Sequence, residues 1–155
     1  AVTARDLPQR AGRAWPVDRR PPYTPEPTLR VVLGPQDDYF TAEGLATFLN
    51  SAYQLTPEAD RMGARLQGLP IAHRGSTGIV SDGVVAGSVQ VPPDGQPIVM
   101  LADHQTTGGY PKIATVIRAD LPLLAQCLPG DRLRFAAVTL AEVQHLLSSP
   151  CEGFA

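Results

Sequence analysis

The 155-residue sequence has few of the residues that build metal or redox centres. It holds two cysteines, Cys127 and Cys151, and three histidines, and neither type recurs at the short spacings of zinc or dithiol motifs. It also lacks a glycine-rich phosphate loop and a G-x-S-x-G nucleophile turn. The sequence therefore gives no support to zinc, thiol-exchange or serine-hydrolase chemistry, and we predict no metal site.

Charge and hydropathy exclude two kinds of partner. The formal net charge is -2 at pH 7, so there is no basic excess to attract nucleic acid or an anionic membrane. No apolar run approaches the roughly 20 residues that span a bilayer. The sequence begins at Ala1 with polar residues and no hydrophobic signal core. We therefore predict a cytoplasmic protein that binds neither nucleic acid nor membranes.

Composition divides the sequence into three segments. Residues 1–28 combine six prolines with five arginines and show little apolar periodicity, which is typical of a linker or arm. Trp15 is the exception there, because its large apolar surface usually packs into a groove. We predict one globular domain over residues 29–148 and a tail over residues 149–155.

Short strand patterns dominate the predicted domain. We predict strands at 29–33, 62–66, 78–81, 87–91, 98–102, 113–118 and 132–138, separated by glycine and proline turns. Thr41 and Asp120 are predicted N-caps of two short helices, the second ending near Gly130, and Thr139-x-x-Glu142 is a capping box for a third. This spacing favours a mainly β barrel or sandwich with short helices over a layered α/β fold.

The first candidate binding segment is Asp60-Arg61-Met62-Gly63-x-Arg65. If it is extended, Arg61 and Arg65 share a face, because residues i and i+4 of a strand point the same way. Arg61 can then receive a carboxylate or carbonyl group through its planar fork of donors. The alternative is a solvated strand face or a local Asp60–Arg61 pair, since exposed pairs are common and weak.

Two polar positions near the next predicted strands have different interpretations. The Asp82-Gly83 dipeptide is typical of a tight turn, because Asp bonds nearby backbone groups and Gly adopts positive φ. We therefore interpret Asp82 as a structural residue. Gln90 follows apolar residues, and a buried amide must both donate and accept. Gln90 is therefore a candidate for binding the amide of a ligand.

The segment from Asp103 to Lys112 concentrates polar and glycine residues directly after an apolar strand. Gly108 and Gly109 allow close approach and leave amide donors unobstructed. Lys112, the only lysine among 13 basic residues, can stabilise an anionic charge, and Asp103 can orient it or act as a base. The alternative is a tight structural turn whose polar groups satisfy one another. The candidate residues are Asp103, Gln105, Thr106, Gly108, Gly109, Tyr110 and Lys112.

Six linked motifs occur in order along the predicted domain. They are Arg30-Val31-Val32-x-Gly34-Pro35, Asp60-Arg61-Met62-Gly63-x-Arg65-Leu66-x-Gly68, Ser81-Asp82-Gly83, Gln90-Val91-Pro92-x-x-Gly95-Gln96-Pro97, Asp103-x-Gln105-Thr106-Thr107-Gly108-Gly109-Tyr110-Pro111-Lys112 and Pro129-Gly130-Asp131. Together they resemble the C-terminal half of the allophanate hydrolase subunit 2 family, also called the biotin-dependent carboxyltransferase family. Members include the C-type subunit of 5-oxoprolinase and the antagonist of a sporulation-kinase inhibitor.

The resemblance implies a cyclophilin-like β-barrel and a sequence that holds only the second of two such domains. It also implies a site for a small amide, shared with the missing N-terminal half. We expect Gly108 and Gly109 to present oxyanion donors. We expect Asp103 and Lys112 to be catalytic, and Arg61, Gln90, Gln105, Thr106, Gly108, Gly109 and Tyr110 to bind substrate.

The function that the resemblance implies is opening of 5-oxoproline to glutamate, coupled to ATP hydrolysis by partner subunits. Partners would be subunits like allophanate hydrolase subunit 1 and lactam-utilisation proteins. The alternatives are carboxyl transfer from carboxybiotin to urea, and a non-catalytic module that sequesters a partner. The sequence has no biotin-attachment motif and no phosphate loop, so we expect biotin or ATP only through partners.

Overall fold

The computed structural model describes residues 23–148, with side chains as far as His145. Most of the predicted arm, including Trp15, and the whole predicted tail lie outside the described residues. The described part of the arm already belongs to the fold. Pro25 O and Pro27 O accept hydrogen bonds from Arg132 N and Arg134 N, both at 3.0 Å, so pairing begins before the predicted boundary.

Nine strands build the structure. They are β1 (Thr28–Leu33), β2 (Tyr53–Leu55), β3 (Gly63–Gln67), β4 (Asp82–Gly83), β5 (Ser88–Gln90), β6 (Ile98–Met100), β7 (Thr107–Gly108), β8 (Lys112–Val116) and β9 (Arg132–Ala137). Seven of them close into a barrel in the order β1-β8-β5-β6-β3-β2-β9, with β1 parallel to β9 and the other pairs antiparallel. β4 and β7 form a separate antiparallel ribbon.

The predicted barrel with short helices is confirmed, and six predicted strands lie within two residues of the observed bounds. The prediction of a strand at 78–81 is wrong. Val80 is 93% exposed, so the apolar residues there do not reach the core. The next strand begins at Asp82 instead. The short strand β2 was not predicted, because three residues after a helix show too little alternation.

Three α-helices flank the barrel: α1 (Ala42–Asn50), α2 (Leu121–Leu124) and α3 (Leu140–Ser148). Thr41 caps α1, since its Oγ1 accepts a hydrogen bond from Gly44 N at 2.9 Å. The capping box of α3 is confirmed: Thr139 N donates to Glu142 Oε2 at 2.7 Å, and Glu142 N donates to Thr139 Oγ1 at 3.3 Å. None of the helices between residues 23 and 148 is long and apolar enough to cross a bilayer.

Asp120 occupies the N-cap position of α2 as predicted, but its side chain makes no capping bond. The predicted helix end near Gly130 is wrong, because α2 ends at Leu124. The buried carboxylate of Asp120 instead accepts from Arg30 N at 2.7 Å and from Arg30 Nε at 2.9 Å. Charge-assisted bonds to a guanidinium are stronger than a bond to a helix amide. The Asp120 side chain therefore pairs with Arg30 of β1 instead of capping α2.

Alternation along β3 separates the core from a potential binding surface. Ala64 and Leu66 are buried in the hydrophobic cluster inside the barrel, whereas Arg65 and Gln67 are exposed on its outer side. On β6, Val99 is fully buried in the same cluster. Successive side chains of a strand point to opposite faces. The outward positions of β3 are therefore open to solvent, whereas β5 is buried along its whole length.

Candidate functional site

Four outward-facing residues form a row across neighbouring strands. The register pairs Arg65 of β3 with Ile98 of β6, Ile98 with Gln90 of β5, and Gln90 with Lys112 of β8. Adjacent strands lie about 4.8 Å apart, so the Cα atoms of Arg65 and Gln90 are separated by about 10 Å. The row places a guanidinium, an apolar surface, an amide and an ammonium side by side.

A cleft of about 560 Å³ covers three members of this row. Its floor includes Arg65, Ile98 and Gln90. Its rim comes from residues of three loops, namely Thr56, Glu58, Asp60, Met62, Pro92, Asp94, Gln96, Gln105 and Tyr110. Among the predicted substrate-binding residues, Gln90, Gln105 and Tyr110 line it. The cleft therefore brings together residues that are far apart in sequence, and it is the candidate functional site.

Gln90 is the most deeply buried polar residue of the cleft. It is 2% exposed, and its Nε2 donates to Tyr110 O at 3.3 Å. Among the described residues, no hydrogen bond reaches its Oε1. Gly108 of the ribbon packs directly on this amide, since a Cβ at that position would overlap Gln90 Nε2. The missing side chain at Gly108 is what lets the amide lie at the wall of the cleft.

A second polar group in the cleft has no partner. The Oγ1 atom of Thr56 is buried and makes no hydrogen bond with any described residue. Thr56 lines the same cleft as Gln90. A buried hydroxyl that lacks a partner costs free energy, so a ligand that supplies one gains affinity. Sequence reasoning did not single out Thr56, because nothing local distinguishes it from a turn residue before Pro57.

Lys112 lies beside the cleft and is engaged by the ribbon. It is 3% exposed, and its Nζ donates to Asp82 Oδ2 at 2.6 Å and to Gly83 O at 2.9 Å. Gln36 closes the group: its Nε2 donates to Asp82 Oδ2 at 3.1 Å, and its Oε1 accepts from Lys112 N at 3.1 Å. The Lys112 ammonium, with smaller effects from Gly83 N and Gln36, holds the pKa of Asp82 below its usual range.

The carboxylate that contacts Lys112 is therefore Asp82, and the prediction that Asp103 orients Lys112 is wrong. Asp103 instead accepts from Arg61 Nε at 2.6 Å and from Arg61 Nη2 at 3.2 Å. The bond to Arg61 lowers the pKa of Asp103, and the bond to Asp103 raises the pKa of Arg61. The alternative of a local Asp60–Arg61 pair is not observed, because Asp60 Oδ1 accepts from Met62 N and Gly63 N.

Arg61 precedes β3 and lies away from the cleft. Its side chain is 84% exposed and lines an apolar hollow of about 770 Å³, which includes Leu101, Leu121 and Cys127. The arginine that faces the cleft is Arg65. The sequence feature that distinguishes Arg65 from Arg61 is the alternation in β3, where Arg65 stands between the inward residues Ala64 and Leu66. The roles of Arg61, Asp103 and Lys112 in substrate binding or catalysis stay predictions.

Thr106 and Gly109 make backbone hydrogen bonds in and beside the ribbon. Thr106 O accepts from Val84 N at 3.0 Å, and Gly109 O accepts from Ile79 N at 2.9 Å. Neither residue lines the cleft. The oxyanion role expected for the Gly108 and Gly109 amides stays a prediction. In the part of the chain that the structure describes, no three His, Cys, Asp or Glu residues gather closely enough to hold a metal ion.

The structure is thus a closed β-barrel domain with a polar, loop-rimmed cleft on its outer face, a shape suited to a small molecule. Residues 2–137 match the family described as the carboxyltransferase domain, subdomain A and B. The chain belongs to this family. The resemblance to the biotin-dependent carboxyltransferases is thereby confirmed.

Two curated relatives match more than half of this chain, and both are the C-type subunit of 5-oxoprolinase. The chain is 50% identical over 94 residues to the Haemophilus influenzae protein, covering 61% of this chain and 30% of the relative. It is 41% identical over 114 residues to the Escherichia coli protein, covering 74% and 37%. The chain therefore spans about a third of the length of these relatives.

Solved structures confirm the fold. The crystal structure of the Kluyveromyces lactis urea carboxylase matches with a TM-score of 0.76 and 23% identity, over 81% of this chain and 12% of that one. The crystal structure of TTHA0988 matches with a TM-score of 0.66 and 37% identity, over 81% and 23%. The barrel thus occurs within much longer chains.

Proposed function

We propose that this domain forms part of the active site of an enzyme acting on a small amide, as a component of the C-type subunit of a 5-oxoprolinase. The two relatives that carry this name support the assignment. The single observation that carries it is Gln90, a buried amide in the cleft whose Oε1 lacks a partner among the described residues. A buried amide with a free acceptor is suited to another amide.

Gln90 and Thr56 offer complementary contacts to such a ligand. Gln90 Oε1 accepts a hydrogen bond from a ligand N–H, and the buried hydroxyl of Thr56 donates one to a ligand carbonyl once its side chain turns toward the cleft. Leaving a buried polar group unpaired costs about 1–3 kcal/mol, so a ligand that satisfies both gains more than it would from exposed contacts. A lactam or urea-like group carries both functions within a few atoms. The chemistry of the cleft therefore matches a small amide.

The remainder of the active site is proposed to come from outside this domain. The chain spans about a third of its relatives and carries no phosphate-binding loop in its sequence. We place ATP hydrolysis on partners like allophanate hydrolase subunit 1 and the lactam-utilisation proteins. The first half of the family chain would complete the cleft. Under this proposal the isolated domain binds substrate without turning it over.

Carboxyl transfer is the second candidate function, and the name of the matched family favours it. Such an enzyme receives an activated carboxyl group from carboxybiotin carried by a partner. The residues of the cleft fit that group, because Gln90, Gln105 and Thr56 offer a ureido ring the same contacts as they offer an amide. Their contribution would be to hold the ring against the acceptor substrate.

We expect Gln90→Leu to lower 5-oxoproline-dependent ATP hydrolysis at least about tenfold, because the ligand loses a buried hydrogen bond. The assay uses the full-length protein that carries this sequence, assembled with its partner subunits. Gln54→Leu is the matched control, since Gln54 bonds to Gly130 O and does not line the cleft.

An unchanged rate in Gln90→Leu would contradict the proposed role of the cleft. Urea-dependent turnover in place of 5-oxoproline-dependent turnover would favour the carboxyltransferase. A stable assembly without any amide-dependent ATP hydrolysis would instead favour the non-catalytic binding module.

A further inference from the structure

We propose that Arg65 binds a substrate carboxylate, and that the cleft is therefore selective for a small amide that bears a carboxylate group. This inference rests on the proposed function and names its substrate class. Arg65 is the only basic residue among those that line the cleft. A guanidinium is the side chain best suited to a carboxylate, because its planar fork donates two parallel hydrogen bonds.

The guanidinium of Arg65 is free to receive a ligand. Its side chain makes no ion pair or hydrogen bond with the residues of the described range. Arg30, Arg61 and Arg134, by contrast, each pair with a carboxylate of the fold. A ligand at Arg65 thus forms a new contact without first breaking one, which avoids the cost of separating an existing pair.

Acidic residues of the same cleft restrict where an anion can bind. Glu58, Asp60 and Asp94 line it together with Arg65. Asp60 Oδ1 already accepts from two backbone N–H groups, and Asp94 Oδ1 accepts from Gln96 N at 3.0 Å. Carboxylates repel an anionic ligand, so its carboxylate is stabilised only beside Arg65. Electrostatics therefore orients the ligand, with its carboxylate at Arg65 and away from Glu58, Asp60 and Asp94.

The register sets the spacing between the two recognition groups. Arg65 and Gln90 pair with the same residue, Ile98, from its two sides. Their Cα atoms are about 10 Å apart, with Ile98 of β6 between them. A five-membered lactam with a carboxylate on the carbon beside its nitrogen fits this arrangement, with the ring on Ile98, the N–H at Gln90 and the carboxylate at Arg65. Urea has no group for Arg65.

The test compares 5-oxoproline with 2-pyrrolidinone, which has the same lactam ring and no carboxylate. Calorimetric binding and kcat/KM are measured on the assembled full-length protein. We expect Arg65→Gln to weaken 5-oxoproline binding and kcat/KM by about tenfold to hundredfold, because a charge-assisted bond is lost. Values for 2-pyrrolidinone should stay within about twofold, since the lost bond involves only the carboxylate. Arg65→Lys should give an intermediate loss, because lysine keeps the charge and loses the fork.

Arg118→Gln is the matched control, because Arg118 is an exposed arginine that lines the apolar hollow and not the cleft. It should leave both ligands unaffected. An unchanged preference for 5-oxoproline in Arg65→Gln, or an equal loss for both ligands, would overturn the role of Arg65 alone. Failure of the wild-type assembly to bind or turn over 5-oxoproline would overturn the proposed function and the substrate class with it.

Discussion

Asp82→Ala should lower the unfolding midpoint of the domain by about 5 °C or more, whereas Lys112→Met should lower it much less. Lys112 is almost fully buried, so loss of Asp82 leaves a buried ammonium with Gly83 O as its remaining side-chain partner. Methionine removes the buried charge and keeps most of the volume, while Asp82 turns to water. Thermal unfolding followed by circular dichroism measures both midpoints.

The same pair gives a stability difference that depends on pH. Because the folded state holds the pKa of Asp82 below its usual range, the stabilisation is present above the unfolded pKa and is lost as pH falls through the folded pKa. The gap between wild type and Asp82→Ala should therefore be large at neutral pH and shrink in acid. Equal midpoints for Asp82→Ala and Lys112→Met at neutral pH would show that the loss in Asp82→Ala does not come from an unpaired buried ammonium.

These variants also test the predicted catalytic role of Lys112. Its ammonium already donates to Asp82 and Gly83, so a substrate anion would have to compete with both. If Lys112→Met folds and keeps 5-oxoproline-dependent turnover in the assembled protein, the Lys112 ammonium is not required for catalysis. A loss of kcat with an unchanged midpoint would instead favour direct participation in the reaction.

Gly108→Ala should reduce activity of the assembled protein at least about tenfold and destabilise the domain by about 1–3 kcal/mol. The new methyl group would overlap Gln90 Nε2, and the buried amide has little room to move. Moving it breaks the bond to Tyr110 O and shifts Oε1 away from the ligand position. Activity assays with 5-oxoproline and thermal unfolding check the two effects.

Gly109→Ala is the natural control for this change. A Cβ on Gly109 would meet only Ile79 O, at 3.7 Å, which is an ordinary contact. The two variants add the same methyl group to neighbouring residues, so a difference between them isolates the Gln90 amide. Equal activity of Gly108→Ala and Gly109→Ala would count against Gln90 as a ligand-binding residue.

The sequence predicted the barrel well because local alternation and turn residues define most of its strands. β3 and β9 each show a clear apolar–polar period, and the caps of α1 and α3 follow from residues three apart. The wrong strand at residues 78–81 and the missed strand β2 both arise because apolar periodicity is unreliable in short segments. Apolar residues in a loop can resemble a strand, and a three-residue strand is too short for a period to be visible.

The ion pairs of the candidate site were harder to predict, because they join distant positions. Lys112 and Asp82 are 30 residues apart, and Arg61 and Asp103 are 42 apart. Barrel closure and the placement of the ribbon decide which carboxylate meets which cation, and composition alone favoured the nearer Asp60 and Asp103. The choice between Arg61 and Arg65 depended on where β3 begins, which propensity locates only to within a few residues.

Along the strands under the cleft, inward-facing and outward-facing side chains have different roles. Inward residues such as Ala64 and Val99 belong to the core of the barrel, and under the proposed function the outward residues Arg65 and Ile98 determine what the cleft accepts. Ligand preference can therefore change by exchange of an outward side chain while the interior stays intact. For a chain of this architecture, altering substrate choice and preserving stability are separable engineering problems.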